Sequence, residues 1–485
     1  MEREDDRIDD IRADDIAPEG ALPPAEPSRN SESLDDADNT LRPSFIRKVI
    51  ESLDADDQDA VYNLVEPLHP ADVADLFELI GQDYRADLAR AINDLLGSDV
   101  LAEMNDWVRE ELVDDLDPDE VADLAEQMET DDAVALIEDL DEEDQQAVLA
   151  EMEPEDRAAI ESALSFPEES AGRLMSRDVI AVPEHLSVGD LIDYLRDDED
   201  LATEFWEVFI VDPKHRPVGT CALSWILRTP RHIALADVMK RDQTLIPVTM
   251  DQEEVALRFQ KYALISAAVV DESGRLVGQI TVDDVVHIIQ EEASEDVLRL
   301  SGAGDGDINE PIGLTVRTRL SWLVVNLGTA IVASSVVGLF QGAIARFALL
   351  AVLMPIVSGM GGNAGTQTLA VVVRAIATNQ LTSSNTVRMI LRELRIAMAN
   401  GLSLGMLIGV GTGLLFANPH LGAVIGAAMI INNLVAGLAG IMVPVTLDRL
   451  KIDPAVSSAV FVTMATDVMG FFSFLGLAVL TGLTG

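Results

Sequence analysis

Hydrophobic and polar positions divide the chain into three stretches. From residue 41 to about 165, apolar residues recur at helical spacing between acidic turns. Leu-His-Pro-Ala-Asp-Val-Ala-Asp-Leu at 68–76 resembles Leu-Asp-Pro-Asp-Glu-Val-Ala-Asp-Leu at 116–124, 48 residues later. In each, Pro falls where a first helical turn tolerates it, because that position needs no N–H donor. Leu-Asp-Glu-Glu-Asp (140–144) and Met-Glu-Pro-Glu-Asp (152–156) read as further turns of the same kind. The pattern predicts an all-α N-terminal domain over 41–168, its short helices each burying one face against neighbours. Residues 1–40 hold acidic runs and Pro-Glu-Gly-Ala-Leu-Pro-Pro-Ala-Glu-Pro (18–27), and predict a disordered tail with no apolar signal segment.

From 169 to 293 the pattern shortens to β-branched runs between amphipathic helices, and it occurs twice. Leu174-Met175-Ser-Arg-Asp-Val-Ile-Ala-Val-Pro183 matches Val238-Met239-Lys-Arg-Asp-Gln-Thr-Leu-Ile-Pro247. Phe209-Ile-Val-Asp212 with Val218-Gly219 matches Val269-Val-Asp271 with Val277-Gly278, and Gly274 serves a tight turn in the second copy. The order strand–helix–strand–strand–helix, twice, resembles a pair of CBS modules. That resemblance implies an α/β domain and brings in an adenine nucleotide such as ATP as a candidate cofactor. The ribose-binding Asp of such modules follows a Gly-x-Ile-Thr strand. The second copy has Gly278-Gln-Ile-Thr281-Val-Asp283-Asp284, the first has Ser224 at the comparable place, so at most one nucleotide site is intact. Residues 294–318 predict a linking helix followed by a Gly-rich break.

The third stretch is a different solvent problem. Residues 320–345, 347–373 and 396–447 carry no charge, and 454–485 carry only Asp467. About 20 apolar residues cross a bilayer, so 319–485 predicts a five-helix transmembrane domain with a turn at Asn418-Pro419. Arg317 and Arg319, then Arg374, Arg388, Arg392 and Arg395, then Arg449 and Lys451 all fall on one side. Basic residues stay in the cytoplasm. The N-terminal domains are therefore expected inside the cell, at the plasma membrane, with the C-terminus outside. An odd number of spans cannot form two equal inverted halves, which favours a pore built by a homodimer in the lipid.

Charge sharpens this picture. The formal net charge is −52; from Arg317 onward nine basic and four acidic residues give +5, leaving −57 on residues 1–316. Such a chain lacks the basic footprint that nucleic acid needs. It suits cations, although 28 Arg against five Lys and heavy use of Asp would also follow from general acid enrichment. Cys221 is the sole cysteine, so one chain can form no disulfide or cysteine-based metal site.

Asp467 lies well inside the last span, where a carboxylate is expensive unless it faces water, a cation or a partner. Two such carboxylates at a two-fold axis would attract a divalent cation and repel anions. Mg2+ keeps most of its waters when one or two carboxylates hold it. Thr463 is one helical turn before Asp467, on the same face. Pro355-Ile-Val-Ser-Gly359-Met-Gly361-Gly362-Asn363-Ala-Gly365-Thr-Gln367 weakens the second span, which suggests either non-helical backbone with carbonyls facing a hydrated ion or close packing through small residues. Asn432, Asn433 and Pro444 roughen the fourth span similarly.

Gly359 to Gln367, Asn433-Leu-Val-Ala-Gly437 with Pro444, and Asp453-Pro-Ala with Phe461-Val-Thr-Met-Ala-Thr-Asp467-Val-Met-Gly-Phe471 resemble the MgtE magnesium transporter family. The domain order resembles it too. The resemblance implies a homodimeric Mg2+ channel that closes when Mg2+ binds its acidic cytoplasmic domains. It implies pore residues Asp467, Thr463 (through its backbone oxygen), Gly362 and Asn363. It implies sensor residues Asp251, Glu253, Asp284, Glu292, Glu295 and Asp296, with Asp119 and Asp123 in the N domain. Three positions depart from the family pattern: Ala263 and His287 in the sensor, and Ala459 two turns before Asp467.

Competing readings are separable. A Co2+ or Mn2+ carrier would gain from Cys or His in the spans, and there is neither, since His420 sits in a loop. A CBS-bearing anion channel would need a basic pore. A nucleotide-sensing receptor or membrane enzyme would need a phosphate-cradling motif or a catalytic constellation near the spans, and no such arrangement is found.

Overall fold

The computed structural model describes residues 33, 40–114, 116–197, 205–302, 309–382, 384–455 and 458–483, without the side chains of 296 and 301. The expected acidic tail, 1–40, thus falls almost wholly outside the described residues. Two compact units emerge, 1–285 and 286–485.

The first unit begins with ten helices among the described residues. They are α1 (Pro43–Asp54), α2 (Gln58–Val65), α3 (Pro70–Leu79), α4 (Gln82–Ala91) and α5 (Ser98–Ala102). Then come α6 (Asp106–Val113), α7 (Pro118–Ala125), α8 (Thr130–Glu138), α9 (Glu142–Glu151) and α10 (Pro154–Leu164). The repeated turns start helices as expected. Pro70 and Pro118 both open a helix; His69 Nδ1 accepts from the Ala71 N–H (3.3 Å), and Glu120 accepts from the Asp117 N–H (3.0 Å). One core gathers around Val49, Leu76, Phe77 and Leu88, and a second around Val121, Leu136, Ile137 and Ile160. Arg109 is nearly buried and pairs with Asp139 at 2.6 Å, tying α6 to the end of α8.

The duplicated region forms two three-stranded sheets. One contains β1 (Ala181–Pro183), β2 (Glu207–Val211) and β3 (Pro217–Ala222); the other contains β4 (Leu245–Pro247), β5 (Ser266–Val270) and β6 (Leu276–Thr281). In each, the first strand pairs parallel with the second and the second antiparallel with the third, with a bulge at the same place. Helices α11 (Val188–Asp197), α12 (Leu223–Arg228) and α13 (Leu235–Val238) belong to the first copy and its exit, and α14 (Gln252–Tyr262) to the second. The repeated Met and Val-Gly signals have one physical cause. Met175 of the first copy packs on Gly278 of the second, and Met239 of the second on Gly219 of the first; a Cβ at either glycine would fall within 3 Å of the methionine sulfur. The turn at Gly274 has a left-handed backbone (φ +77°), and His215 takes the same conformation in the first copy.

The last helix of the second copy does not stop at the expected boundary of 293. It runs unbroken as α15 (Val282–Ser301) and ends at Gly302, whose φ is +68°. The linking segment and the final CBS helix are thus one element.

In the second unit, five helices are long and apolar enough to cross a membrane. They are α16 (Ile312–Leu339), α18 (Leu349–Ala377), α19 (Thr386–Leu415), α20 (Pro419–Arg449) and α21 (Ser458–Leu480), with the short α17 (Gln341–Arg346) after the first. Helix α20 is the hub, lying against α18, α19 and α21, and most of its apolar window is buried. Glycines at four-residue intervals let α19 and α20 approach closely: Gly405 meets the Gly426 carbonyl, and Gly409 that of Gly422.

The structure decides between the two readings of the second span and moves one boundary. The Pro355–Gln367 stretch is not broken, because α18 is helical throughout with Pro355 inside it. Its small residues serve packing: Asn432 fills the space beside Gly361 and Val462 that beside Gly365. Contact with α20 and α21 offsets the roughly 1 kcal/mol that each glycine costs a helix. Arg388, Arg392 and Arg395, which the charge-free runs leave between the second and third spans, lie on the first turns of α19, which at 30 residues is about 45 Å long, well beyond a ~30 Å hydrocarbon core.

Candidate cation sites

Within the spans, Asp467 projects from α21 and accepts a hydrogen bond at Oδ1 from the Ser358 hydroxyl of α18. Among the described residues it has no ion pair. Ser358 stands inside the glycine-rich motif, but nothing in the sequence marked it above its neighbours.

The support behind this pair is a buried asparagine. Asn432 of α20 is fully buried, and its Nδ2 donates to the carbonyl of Val357, the residue before Ser358 (2.8 Å). The same side chain lies against Gly361 and Gly470, the latter almost one turn beyond Asp467. Asn432 therefore fixes α18 and α21 relative to each other where the carboxylate and the serine meet. Its Oδ1 is buried without a partner.

The other expected pore residues flank this point. Thr463 and Gly362 are half-buried, and Asn363 is exposed. A Cβ on Gly362 would lie 4.0 Å from Thr466 Oγ1. The Thr463 carbonyl already accepts the Thr466 hydroxyl (2.9 Å), which leaves it less free for a hydrated ion than the sequence suggested. On α18 the exposed face carries Pro355, Gly359 and Asn363 at four-residue steps. Such a face offers lipid little apolar surface and suits water or a partner helix.

The second site is in the first unit, where α8 begins beside the CBS pair. Asp131, in the first turn of α8, has its carboxyl held well above the usual carboxylate range, first by burial and then by the charges of Asp284, Asp132 and Glu129. Its Oδ1 is buried and unpartnered. Glu129 is raised for the same reasons, burial first, then Asp284, Asp132 and Asp178, with the Ser176 hydroxyl opposing. Asp178 is raised by burial and by Asp156. Asp284 is fixed by the Thr281 hydroxyl, which donates to Oδ2 at 2.6 Å. The positive end of α8 makes this crowding tolerable. Among the described residues, no three carboxylate, imidazole or thiol groups close to direct ligand spacing for one ion. Carboxylates that repel one another without reaching that spacing suit an ion that keeps its waters.

Of the expected sensor residues, only Asp284 joins this cluster. Asp251 caps α14, accepting from the Glu253 N–H (3.1 Å), and the Glu253 side chain is half-exposed. Glu292 and Glu295 are half-exposed on α15, where Glu295 pairs with Arg299, and Arg299 Nη1 also binds Asp453 Oδ2 at 2.8 Å. The Asp296 side chain lies outside the described residues. Asp119 and Asp123 are exposed on α7. The N-domain carboxylates that do face Asp284 are Glu129 and Asp131, with Asp132 beside them. Asp-Asp after Glu-Thr at the start of a helix was a legible acidic signal, but nothing in the sequence said what it faces. At the departures, His287 is exposed, and Ala263 takes a left-handed backbone (φ 50°) that ends α14.

Comparison with known proteins bears on the domain order. Residues 354–477 match a family model described as a divalent cation transporter, 68–169 the MgtE intracellular N domain, and 235–291 a CBS domain. The chain is similar to the magnesium transporter MgtE of Thermus thermophilus, 32% identical over 323 residues, covering 66% of this chain and 71% of the relative. It is also similar to the magnesium transporter MgtE of Enterococcus faecalis, 30% identical over 319 residues, covering 66% and 70%. Among solved structures, the cytosolic domain of the Mg2+ channel MgtE in complex with ATP is 27% identical and covers 50% of this chain and 99% of that one, with a TM-score of 0.46.

Proposed function

The chain belongs to the MgtE family of divalent cation transporters, and from that premise we propose that it is a Mg2+-selective channel, gated by Mg2+ at its acidic domains. The family is one of membrane transporters, and five candidate spans fit that role. The observation that carries the reading is Asp467, a span carboxylate with a serine donor and no cationic partner among the described residues. In the proposed homodimer two such carboxylates face one axis and hold a hydrated ion between them. Softer metals find no thiolate in the spans, and His420, in the first turn of α20, is remote in sequence from Asp467.

In the proposed orientation the N-terminal domains are cytoplasmic and the C-terminus outside. The membrane potential then draws Mg2+ inward, with roughly 2.3 kcal/mol per elementary charge per 100 mV, acting twice on a divalent ion. Gating follows from the cluster around Asp131 and Asp284. Its carboxylates repel when Mg2+ is scarce; when Mg2+ is abundant the ion bridges them and favours the compact, closed state by its difference in affinity for the two states. ATP is a secondary reading for the CBS pair. Asp284, one of the two aspartates after the Gly-x-Ile-Thr strand, lies by Glu129 and Asp131, so a triphosphate must approach against their charge. No step is assigned to it.

Mg2+ uptake by Mg2+-starved cells carrying wild type or Asp467→Ala tests the reading. Loss of charge-assisted contacts worth about 1.5–3 kcal/mol predicts a fall of roughly tenfold or more. Flux and selectivity equal to wild type would remove Asp467 from the permeation route.

A further inference from the structure

At the Arg-bearing end of the spans, α18 and α19 enclose a second feature that conduction does not use. A cavity of about 440 Å³ is lined by Arg374 from α18 and by Arg388 and Arg392 from α19. That volume lies in the range of roughly 300–1,000 Å³ typical of ligand pockets. We propose that this cavity binds the phosphodiester headgroup of an anionic membrane lipid.

Charge is the first reason. Arg392 has a counter-charge, because its Nη1 lies 3.2 Å from the buried carboxylate of Glu393. Arg374 and Arg388 have no ion pair or side-chain hydrogen bond with any described residue. Two guanidiniums without a counter-charge among the described residues, around one volume, favour an anion between them. Guanidinium forks match the paired oxygens of a phosphate.

The walls are the second reason. Leu381 and Met389 line the cavity and also pack on the buried core of Val372, Ile441 and Val445, so its apolar side is held by the bundle. The loop rim is fixed as well: Asn385 Oδ1 accepts from the Thr382 N–H (2.9 Å), and its Nδ2 donates to the Gln380 carbonyl (2.8 Å). These contacts preform the wall and rim of the space, and the three exposed arginines stand around it.

Position selects a lipid over a soluble anion. The arginines lie where α18 ends and α19 begins, at headgroup depth for spans longer than the hydrocarbon core. From there, exposed Val371, Leu391 and Ile396 continue along the two helices toward the bilayer interior, where an acyl chain would lie. Basic pockets between transmembrane helices hold anionic headgroups in this way. The proposal needs the spans to be in a bilayer, but not Asp467 to conduct, so either reading can fail without the other.

The test is native mass spectrometry of the full-length protein in detergent, offered phosphatidylglycerol or phosphatidylcholine at equal concentration. Wild type should retain phosphatidylglycerol in preference. Arg374→Gln with Arg388→Gln should retain roughly tenfold less or lower still. Arg374→Lys with Arg388→Lys, which keeps the charge, should keep most of it and thereby separates electrostatic capture from misfolding. Equal retention by the Gln variant, or equal binding of phosphatidylcholine, would overturn the proposal. Displacement of the lipid by millimolar inorganic phosphate would also overturn it, by making the ligand a free anion.

Discussion

The two candidate cation sites solve opposite electrostatic problems. Around Asp131 several carboxylates crowd one another, and burial together with their mutual charge raises the Asp131 carboxyl well above the usual range. At Asp467 each subunit contributes a single carboxylate, steadied by a serine hydroxyl and backed by Asn432. A crowded site changes its preferred spacing when an ion arrives, which is the property a sensor needs. A solitary site with a fixed support changes little, which is the property a pore needs if ions are to enter and leave quickly. Acidity alone distinguishes neither; the number of carboxylates and the rigidity of what holds them do.

The largest expected effect beyond that of Asp467 itself falls on the crowded site. Asp131→Asn with Asp284→Asn removes the repulsion that Mg2+ is proposed to relieve. In limited proteolysis of the full-length protein in detergent, the Mg2+ concentration that protects wild type should move by about tenfold or more, or the response should vanish. An unchanged midpoint would show that the cluster is not the sensor. Proton competition gives the same comparison a second edge. A carboxyl with a raised folded value contributes stability at low pH and loses it as pH rises through that value. Without Mg2+, wild type should therefore become more protease-resistant on acidification, because Asp284, Asp132 and Glu129 all raise the Asp131 carboxyl. The double Asn variant should lose most of that pH dependence.

A smaller effect is expected at the solitary site when its support is trimmed rather than removed. Ser358→Ala keeps the charge of Asp467 and deletes one hydrogen bond. Water can replace part of it, since Asp467 is only half-buried. A loss of about 1 kcal/mol predicts a fall in Mg2+ flux of roughly fivefold, with the fold intact by thermal denaturation. A loss as complete as that of Asp467→Ala would mean that the serine contacts the ion directly, and an unaltered flux that it merely packs.

The sequence made some of this visible and hid the rest for physical reasons. Apolar run length reveals the spans, since a bilayer imposes a length that no soluble core demands. The CBS duplication was legible because each Met must meet a glycine in the other copy, so both halves of the contact repeat. Asp467 stood out because few carboxylates survive at that depth. Ser358 did not, because a serine in a span is ordinarily satisfied by its own helix. The glycines of α18 left a broken helix and close packing both open, and only the neighbouring Asn432 and Val462 show that they make room for side chains. Asp131 and Asp284 are 153 residues apart, and nothing along the chain says that they meet. Glu393, among the basic residues between the second and third spans, gave no sign that it is a buried carboxylate on α19.

The smallest expected effect is the one that best separates placement from composition. Asp119 and Asp123 share a face of α7 and were the expected N-domain partners of the sensor, yet both are exposed. Neither is among the charges that raise Asp131 or Glu129. Exposed charges more than a Debye length apart, about 8 Å at physiological ionic strength, are largely screened. Asp119→Asn with Asp123→Asn removes as much negative charge as the change at Asp131 and Asp284. If the sensor depends on which carboxylates are crowded, this variant should move the protective Mg2+ concentration by no more than about twofold. If it depends only on total acidity, the two double variants should respond alike, and the distinction between a built cluster and a general acid surface would collapse.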